Sequence, residues 1–179
     1  SLKQIYQTFN KASLKCTPKL RQFSDAITNA MLDVYSRNKK QFTVEKRSHY
    51  IYSPRELTRW CRGVLEALLS VNYSELSGLI RLWYHEGLRL FYDRLVDEDE
   101  RKWCKETFWK VGTECFPHVP LDVPLKDPVL FSTWLTSDYE SVDELELRNF
   151  VRERLRVFNE EEQSVDLILY DDLLDHVLR

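Results

Sequence analysis

The chain has 179 residues and a mass of 21.5 kDa, which suits one domain or one domain with a small appendage. Hydrophobic residues make up 43% of the sequence and charged residues 31%, a balance that excludes a disordered chain. The presence of only 4 Gly and 6 Pro favours helices over an all-β fold. No apolar run approaches the roughly 18 residues of a membrane span, and the sequence shows neither a signal peptide nor a transit peptide.

The formal net charge of −3 hides a gradient along the chain. Residues 1–50 carry a balance of +7, residues 51–110 are neutral, and residues 111–179 carry −10. A basic beginning can indicate nucleic-acid contact, but these basic residues form no stripe interleaved with aromatic residues. We therefore expect no nucleic acid and no membrane among the partners, and the two ends of the chain instead face different neighbours or each other.

The four cysteines have no repeated spacing, which predicts reduced, half-buried thiols of an intracellular protein. They are Cys16, Cys61, Cys104 and Cys115. No C-x-x-C or H-E-x-x-H motif is present, so no metal site is predicted.

The first two helices follow from apolar residues at helical spacing, one beginning at Leu2 and one running through Ile27 to Tyr35. Thr17-Pro18 separates them, because a residue before proline avoids the helical region. The polar stretch at residues 37–48 is predicted to be a loop.

The clearest helix start lies at residues 52–57, YSPREL. Ser53 and Glu56 are spaced as a capping box, and Pro54 takes the first helical position, where no N–H is needed. Tyr52 and Leu57 are placed to form a hydrophobic staple.

Three further helices are predicted downstream, at residues 78–96, from Asp97 to just before Pro117, and at 143–158. Asp97 with Glu100 repeats the capping spacing. Residues 117–128 contain four prolines and are expected to be extended. Residues 160–162, three glutamates, are predicted to be a solvated turn. Residues 165–170 are the only predicted strand, followed by a helix from Asp171 or Asp172 that runs into the last residue.

Arg55 is the main candidate for a functional residue. It is the second residue of its helix, where the N-terminal dipole disfavours a cation by about 0.3–1 kcal/mol. One interpretation is a surface arginine, solvated or paired with a carboxylate. The other is that Arg55 and the free N–H groups of the helix start bind an anion, most usefully a phosphate. His49, in the preceding loop, is a weaker candidate for the same site.

The remaining polar residues give no complete catalytic site. His85 and Glu86 are adjacent on a helix and point about 100° apart, so a proton relay is not expected. The sequence lacks G-x-S-x-G and G-x-x-x-x-G-K-[ST], so this chain cannot by itself cradle a triphosphate with magnesium. We predict no catalytic residue.

Three stretches, in order, resemble the dynein heavy chain family of the cytoplasmic type. They are residues 48–60 (SHYIYSPRELTRW), residues 79–101 (LIRLWYHE through RLFYDRLVDEDER), and residues 170–179 (YDDLLDHVLR). The resemblance is strong from about residue 41 onward and weaker before it. It points to the helical lid subdomain of the third AAA+ module of the motor.

The resemblance implies a mainly α fold, an AAA+ lid-type helical bundle with at most one short strand near the C-terminus. Residues 1–163 would form the lid of the third module, and residues 164–179 would begin the fourth. The family's sensor II arginine, which reaches the nucleotide phosphates, falls on Arg55, with Ser53, Pro54 and Glu56 as its supporting cap.

The resemblance also implies a fragment of an ATP-driven, minus-end-directed microtubule motor, in which the lid senses nucleotide and relays force. ATP or ADP with magnesium would bind only in the parent module, with none bound to the fragment, which would have no activity alone. The implied partners are neighbouring AAA+ subdomains, microtubules, and dynein intermediate, light intermediate and light chains. The implied location is the cytoplasm and its cytoskeleton, and the parent chain would contain a coiled coil.

Two other hypotheses stay open on the residues alone. A free-standing helical interaction module would have ends that finish in caps and polar tails, and the sequence has helical register at both ends, as if cut from something larger. A thiol or acid/base enzyme would need Cys61 or Cys104 against a histidine in a cleft.

Overall fold

A computed structural model describes residues 1–14, 18–70 and 75–161 of the chain. These residues form two compact units, residues 1–127 and the residues from 128 onward. The first contains α1 (Leu2–Ser13), a short 3₁₀ turn (Arg21–Phe23), α2 (Ser24–Gln41), α3 (Pro54–Ser70), α4 (Leu76–Phe91) and α5 (Glu98–Cys115). The second contains β1 (Phe131–Ser132), β2 (Glu140–Ser141) and α6 (Glu144–Glu161). The predicted mainly α class is confirmed.

The core of the first unit is built on aromatic side chains from three helices. α2 packs against α1 and α5, and α3 packs against α4 and α1. Trp60 of α3 stacks on Trp83 of α4 with ring centroids 5.8 Å apart, and Phe108 of α5 meets both rings edge-on. The indole of Trp60 donates a hydrogen bond of 2.9 Å to the Trp83 carbonyl, so the buried N–H is satisfied. The apolar faces of α3, α4 and α5 therefore pack against one another.

Two predicted helix boundaries are wrong. α2 continues through residues 37–41, which were predicted to be a loop, because Arg37 pairs with Asp33 one turn back and the buried Asn38 amide donates to the Val34 carbonyl. α4 ends at Phe91 rather than at residue 96, because the N–H groups of Tyr92 and Asp93 both bond to the Leu88 carbonyl and close the helix in a turn.

The capping spacing at Asp97 predicts the helix start correctly but not its contacts. α5 does begin at Glu98, yet the Asp97 side chain makes no capping hydrogen bond. Asp97 instead pairs with Arg47 at 2.6 Å, and Glu100 accepts a hydrogen bond from the Tyr50 hydroxyl. Long-range partners thus displace the local capping box.

In its described residues, the second unit is a short antiparallel strand pair with one helix. β1 and β2 pair Phe131 with Ser141 and Ser132 with Glu140, an arrangement that the sequence did not predict. Buried Leu130 and Leu147 form its apolar cluster. The Asp143 carboxylate accepts from the Glu146 N–H at the start of α6.

α6 extends to Glu161, so the predicted turn at residues 160–162 is wrong for the first two of these glutamates. Glu160 pairs with Arg156 at 2.6 Å, one turn back on the same helix. The predicted strand at 165–170 and the helix after it lie outside the described residues.

Candidate functional site

The capping box at the start of α3 forms as the sequence predicts. The Glu56 carboxylate (Oε2) accepts from the Ser53 N–H at 2.7 Å and from the Ser53 hydroxyl at 3.0 Å. The Ser53 hydroxyl oxygen in turn accepts from the Arg55 N–H at 3.3 Å. Tyr52 and Leu57, the staple pair, are both buried. The start of α3 is therefore fixed by contacts within its own sequence.

The cap leaves no amide for a ligand in the first turn of α3. The N–H of Ser53 bonds to Glu56, that of Arg55 bonds to the Ser53 hydroxyl, and that of Glu56 bonds to the Ser53 carbonyl at 3.2 Å. Pro54 has no N–H. The prediction that free N–H groups here join Arg55 in binding an anion is thus wrong, because the capping residues already occupy them.

The Glu56 carboxylate is itself buried and held ionised. Burial by itself raises the pKa of Glu56, but hydrogen bonds from the backbone and hydroxyl of Ser53 and from its own N–H, with the nearby charge of Arg94, outweigh it and lower the pKa. Arg94 Nη2 lies 3.7 Å from Glu56 Oε1. The positive charge of Arg94 therefore partly neutralises the carboxylate of the cap.

Two elements outside α3 hold its first turn in place. From α1, the Tyr6 hydroxyl donates to the Pro54 carbonyl at 2.8 Å and lies 3.0 Å from the Thr58 hydroxyl. From the turn after α4, Arg94 donates to the Ile51 carbonyl at 3.0 Å and lies over the Tyr52 ring, 4.8 Å from its centroid. A displacement of the α3 start is thus coupled directly to α1 and to the end of α4.

Arg55 stands on this fixed turn with its side chain exposed. Its guanidinium makes no hydrogen bond or ion pair with any residue in the described ranges. Of the two forms of the surface interpretation, an arginine paired with a carboxylate finds no support in the part of the chain that the structure describes, whereas a solvated arginine fits the exposure of Arg55 as well as an anion-binding one does. The guanidinium is free to reach an external anion.

The histidine and cysteine candidates do not join this site in a catalytic arrangement. The Nε2 atom of His49 lies 3.2 Å from the Arg94 carbonyl oxygen, and the His49 ring packs against the Tyr50 ring. His85 is buried in the core. Cys61 and Cys104 have their sulfur atoms against Met31 and Asn38, and burial raises the pKa of each thiol to about 12. Neither thiol has the lowered pKa that a nucleophile needs.

Two further findings concern metal binding and membrane-spanning helices. Within residues 1–14, 18–70 and 75–161, no three His, Cys, Asp or Glu side chains come together as a potential metal site. In the same ranges, none of the helices combines the length and hydrophobicity that a membrane crossing requires.

Comparison with known proteins identifies the family. Residues 9–101, which include α2, α3, α4 and the candidate site, match the family model of the dynein heavy chain ATPase lid domain. The whole chain is 51% identical to the cytoplasmic dynein heavy chain of Dictyostelium discoideum and 49% identical to that of Drosophila melanogaster. It is 40% identical to the dynein heavy chain-like protein 1 of Plasmodium falciparum, again over its whole length.

In each of these comparisons the chain spans about 4% of the length of the relative. The family model covers more than half of the chain, and its matched region contains the helix start on which Arg55 stands. The chain belongs to the dynein heavy chain family, and residues 9–101 are its ATPase lid domain.

Proposed function

We propose that this chain is a nucleotide-sensing lid in which Arg55 is the sensor II residue. The observation that carries the proposal is the exposed Arg55 guanidinium, which has no partner among the described residues and stands on a turn held by Ser53 and Glu56. An arginine fixed at its base and free at its tip suits recognition of a phosphate supplied by another subdomain. Ser53, Pro54 and Glu56 act as its positioning cap.

The contacts around the turn suggest how nucleotide binding moves the lid. A phosphate that draws Arg55 also draws the first turn of α3, and with it Tyr6 of α1 and Arg94 after α4. A charged hydrogen bond of about 1.5–3 kcal/mol changes a two-state population roughly 10- to 150-fold. One arginine contact is therefore sufficient to bias a lid between two positions.

The parent protein, on this proposal, is an ATP-driven, minus-end-directed microtubule motor of the cytoplasm and its cytoskeleton. Residues 1–163 form the lid of its third AAA+ module and residues 164–179 begin the fourth. ATP or ADP with magnesium binds in the parent module, and the chain alone has no ATPase activity. Its partners are the adjoining AAA+ subdomains of the heavy chain and, through the whole motor, microtubules and the dynein intermediate, light intermediate and light chains.

The test is Arg55→Ala, with Arg55→Lys beside it, in an intact heavy chain that carries this lid. We expect Arg55→Ala to weaken nucleotide binding at this module by roughly tenfold or more, and to shift the ATP concentration that gives half-maximal release from microtubules. Arg55→Lys should restore part of the effect, because lysine keeps the charge but loses the bidentate geometry.

The matched control is Arg21→Ala, which also removes an exposed arginine that has no partner among the described residues. Its nucleotide retention, measured as moles of nucleotide bound per purified chain, should equal that of the unmodified motor. If Arg55→Ala and Arg21→Ala give the same ATP response, the sensor role is wrong.

A further inference from the structure

The first turn of α3 offers few groups, other than Arg55, that could hold a phosphate. Its N–H groups are occupied by the cap, so an anion at Arg55 receives no help from the helix amides. One guanidinium that stays exposed to water holds a phosphate less firmly than two do, because water competes for its hydrogen bonds. A second cation near Arg55 would resolve this.

Arg59 is one turn further along the same face of α3. It too is exposed, and its side chain makes no hydrogen bond or ion pair with any residue that the structure describes. Side chains four apart on a helix have Cβ atoms about 5–6 Å apart, and long helical side chains lean towards the preceding turn, which carries Arg55. The two guanidiniums can therefore meet around one anion.

The neighbouring arginines, unlike Arg55 and Arg59, are paired with carboxylates. Arg62 pairs with Glu66 at 2.7 Å, and Arg89 pairs with Glu86 at 3.4 Å. Like charges at positions i and i+4 destabilise a helix when no counter-charge is present. Arg55 and Arg59 are such a pair, with no described carboxylate between them.

The surroundings of Arg59 leave room for a ligand. Arg59 lines an open groove of about 400 Å³ between α3 and α4, together with Arg62 and Arg89. Gly63 contributes no side chain to the groove, and a Cβ at that position would collide with the Glu86 carboxylate. The groove is also lined by Glu66 and Glu86, which pair with Arg62 and Arg89, so Arg59 is the arginine of this lining that has no carboxylate partner among the described residues.

We propose that Arg59 is a second phosphate-binding residue of the Arg55 site, so that the two guanidiniums together hold the polyphosphate chain of a nucleotide. This inference rests on the proposed function, since it needs nucleotide phosphates at Arg55. On this proposal, Arg59 takes the place of the helix amides as the second anion-binding group of the site.

The experiment compares Arg59→Ala with Arg55→Ala, the double variant and the Arg21→Ala control in the intact heavy chain. The measurements are the affinity for a fluorescent ATP analogue and the thermal unfolding of each variant. We expect Arg59→Ala to weaken binding about tenfold or more, the double variant to bind more weakly than either single one, and Arg59→Lys to restore part of the affinity. The unfolding temperature of Arg59→Ala should not fall.

The outcomes separate the two proposals. If Arg55→Ala weakens binding while Arg59→Ala stays within about twofold of Arg21→Ala, the role of Arg59 is refuted and the sensor role of Arg55 stands. If none of the variants differs from Arg21→Ala, both are refuted. If Arg59→Ala weakens binding only in proportion to lost stability, and Arg59→Lys does not recover affinity, Arg59 is structural and the inference is wrong.

Discussion

The capping carboxylate of Glu56 offers a quantitative test of how the site is built. Glu56→Ala removes the acceptor of two hydrogen bonds from Ser53 and leaves Arg94 without its carboxylate. Glu56→Gln is the matched variant, because glutamine also serves at the third position of a capping box but carries no charge. The difference between the two separates hydrogen bonding from charge.

The expected magnitudes follow from these contacts. Loss of a helix cap costs about 0.5–2 kcal/mol, and loss of the ion pair with Arg94 adds up to about 1 kcal/mol. We expect Glu56→Ala to lower the free energy of unfolding by about 0.5–3 kcal/mol, and Glu56→Gln, which loses only the charge, to lower it by less, at most about 1 kcal/mol. Glu66→Gln, which breaks an exposed i,i+4 pair with Arg62, should cost less than about 0.5 kcal/mol.

The dependence of stability on pH gives a second test of the Glu56 cap. The folded state lowers the pKa of Glu56 from its ordinary value of 4.5, so the charged carboxylate stabilises the fold at pH values above 4.5. This contribution is lost as the pH falls below 4.5 and through the lowered pKa. Urea unfolding near neutral pH and at about pH 3.5 should therefore show a smaller loss of stability on acidification in Glu56→Gln than in the unmodified chain.

Two results would contradict this account of the cap. Equal destabilisation by Glu56→Ala and Glu56→Gln would mean that the hydrogen bonds from Ser53 contribute nothing beyond the charge. An unchanged acid response in Glu56→Gln would mean that Glu56 is not held ionised by the cap.

Two paired substitutions test the packing around the site by urea unfolding. Gly87→Ala should destabilise the chain by about 1–3 kcal/mol, because the new Cβ would lie 2.5 Å from Trp60 and 2.6 Å from Phe108. Gly112→Ala meets the methyl groups of Leu121 and Leu125, the nearest at 3.0 Å, and should be near neutral because these side-chain ends are flexible. Equal effects of the two substitutions would refute the close approach at Gly87. Tyr6→Phe should cost about 1 kcal/mol for its bond to the Pro54 carbonyl, whereas Tyr52→Phe removes a buried hydroxyl with no partner in the described ranges and should be neutral or stabilising. A larger loss of stability in Tyr52→Phe than in Tyr6→Phe would show that the Tyr52 hydroxyl, and not that of Tyr6, makes the stabilising hydrogen bond.

Much of the fold was predictable because its signals are local. The capping box at Ser53 and Glu56 acts within four residues, and the apolar stripe through Trp60 repeats at helical spacing, so both appear directly in the sequence. The family resemblance in residues 48–60 was confirmed by the lid-domain match. The failure at Asp97 has another origin, because Arg47, distant in sequence, supplies an ion pair that local patterns do not contain. At residues 37–41 the helix is extended by local pairs that the polar composition concealed, and the ion pair of Arg37 with the distant Glu114 adds to them.

The sequence by itself determined where α3 begins and that an arginine stands at its second position, because caps and prolines act through the nearest backbone atoms. Only the tertiary structure decided that Arg94 and Tyr6 anchor this turn from two other elements, and that Arg55 and Arg59 lack described partners. Those properties depend on which side chains the packing of α1, α3 and α4 brings within hydrogen-bond distance. The spacing of residues along the chain does not specify that distance.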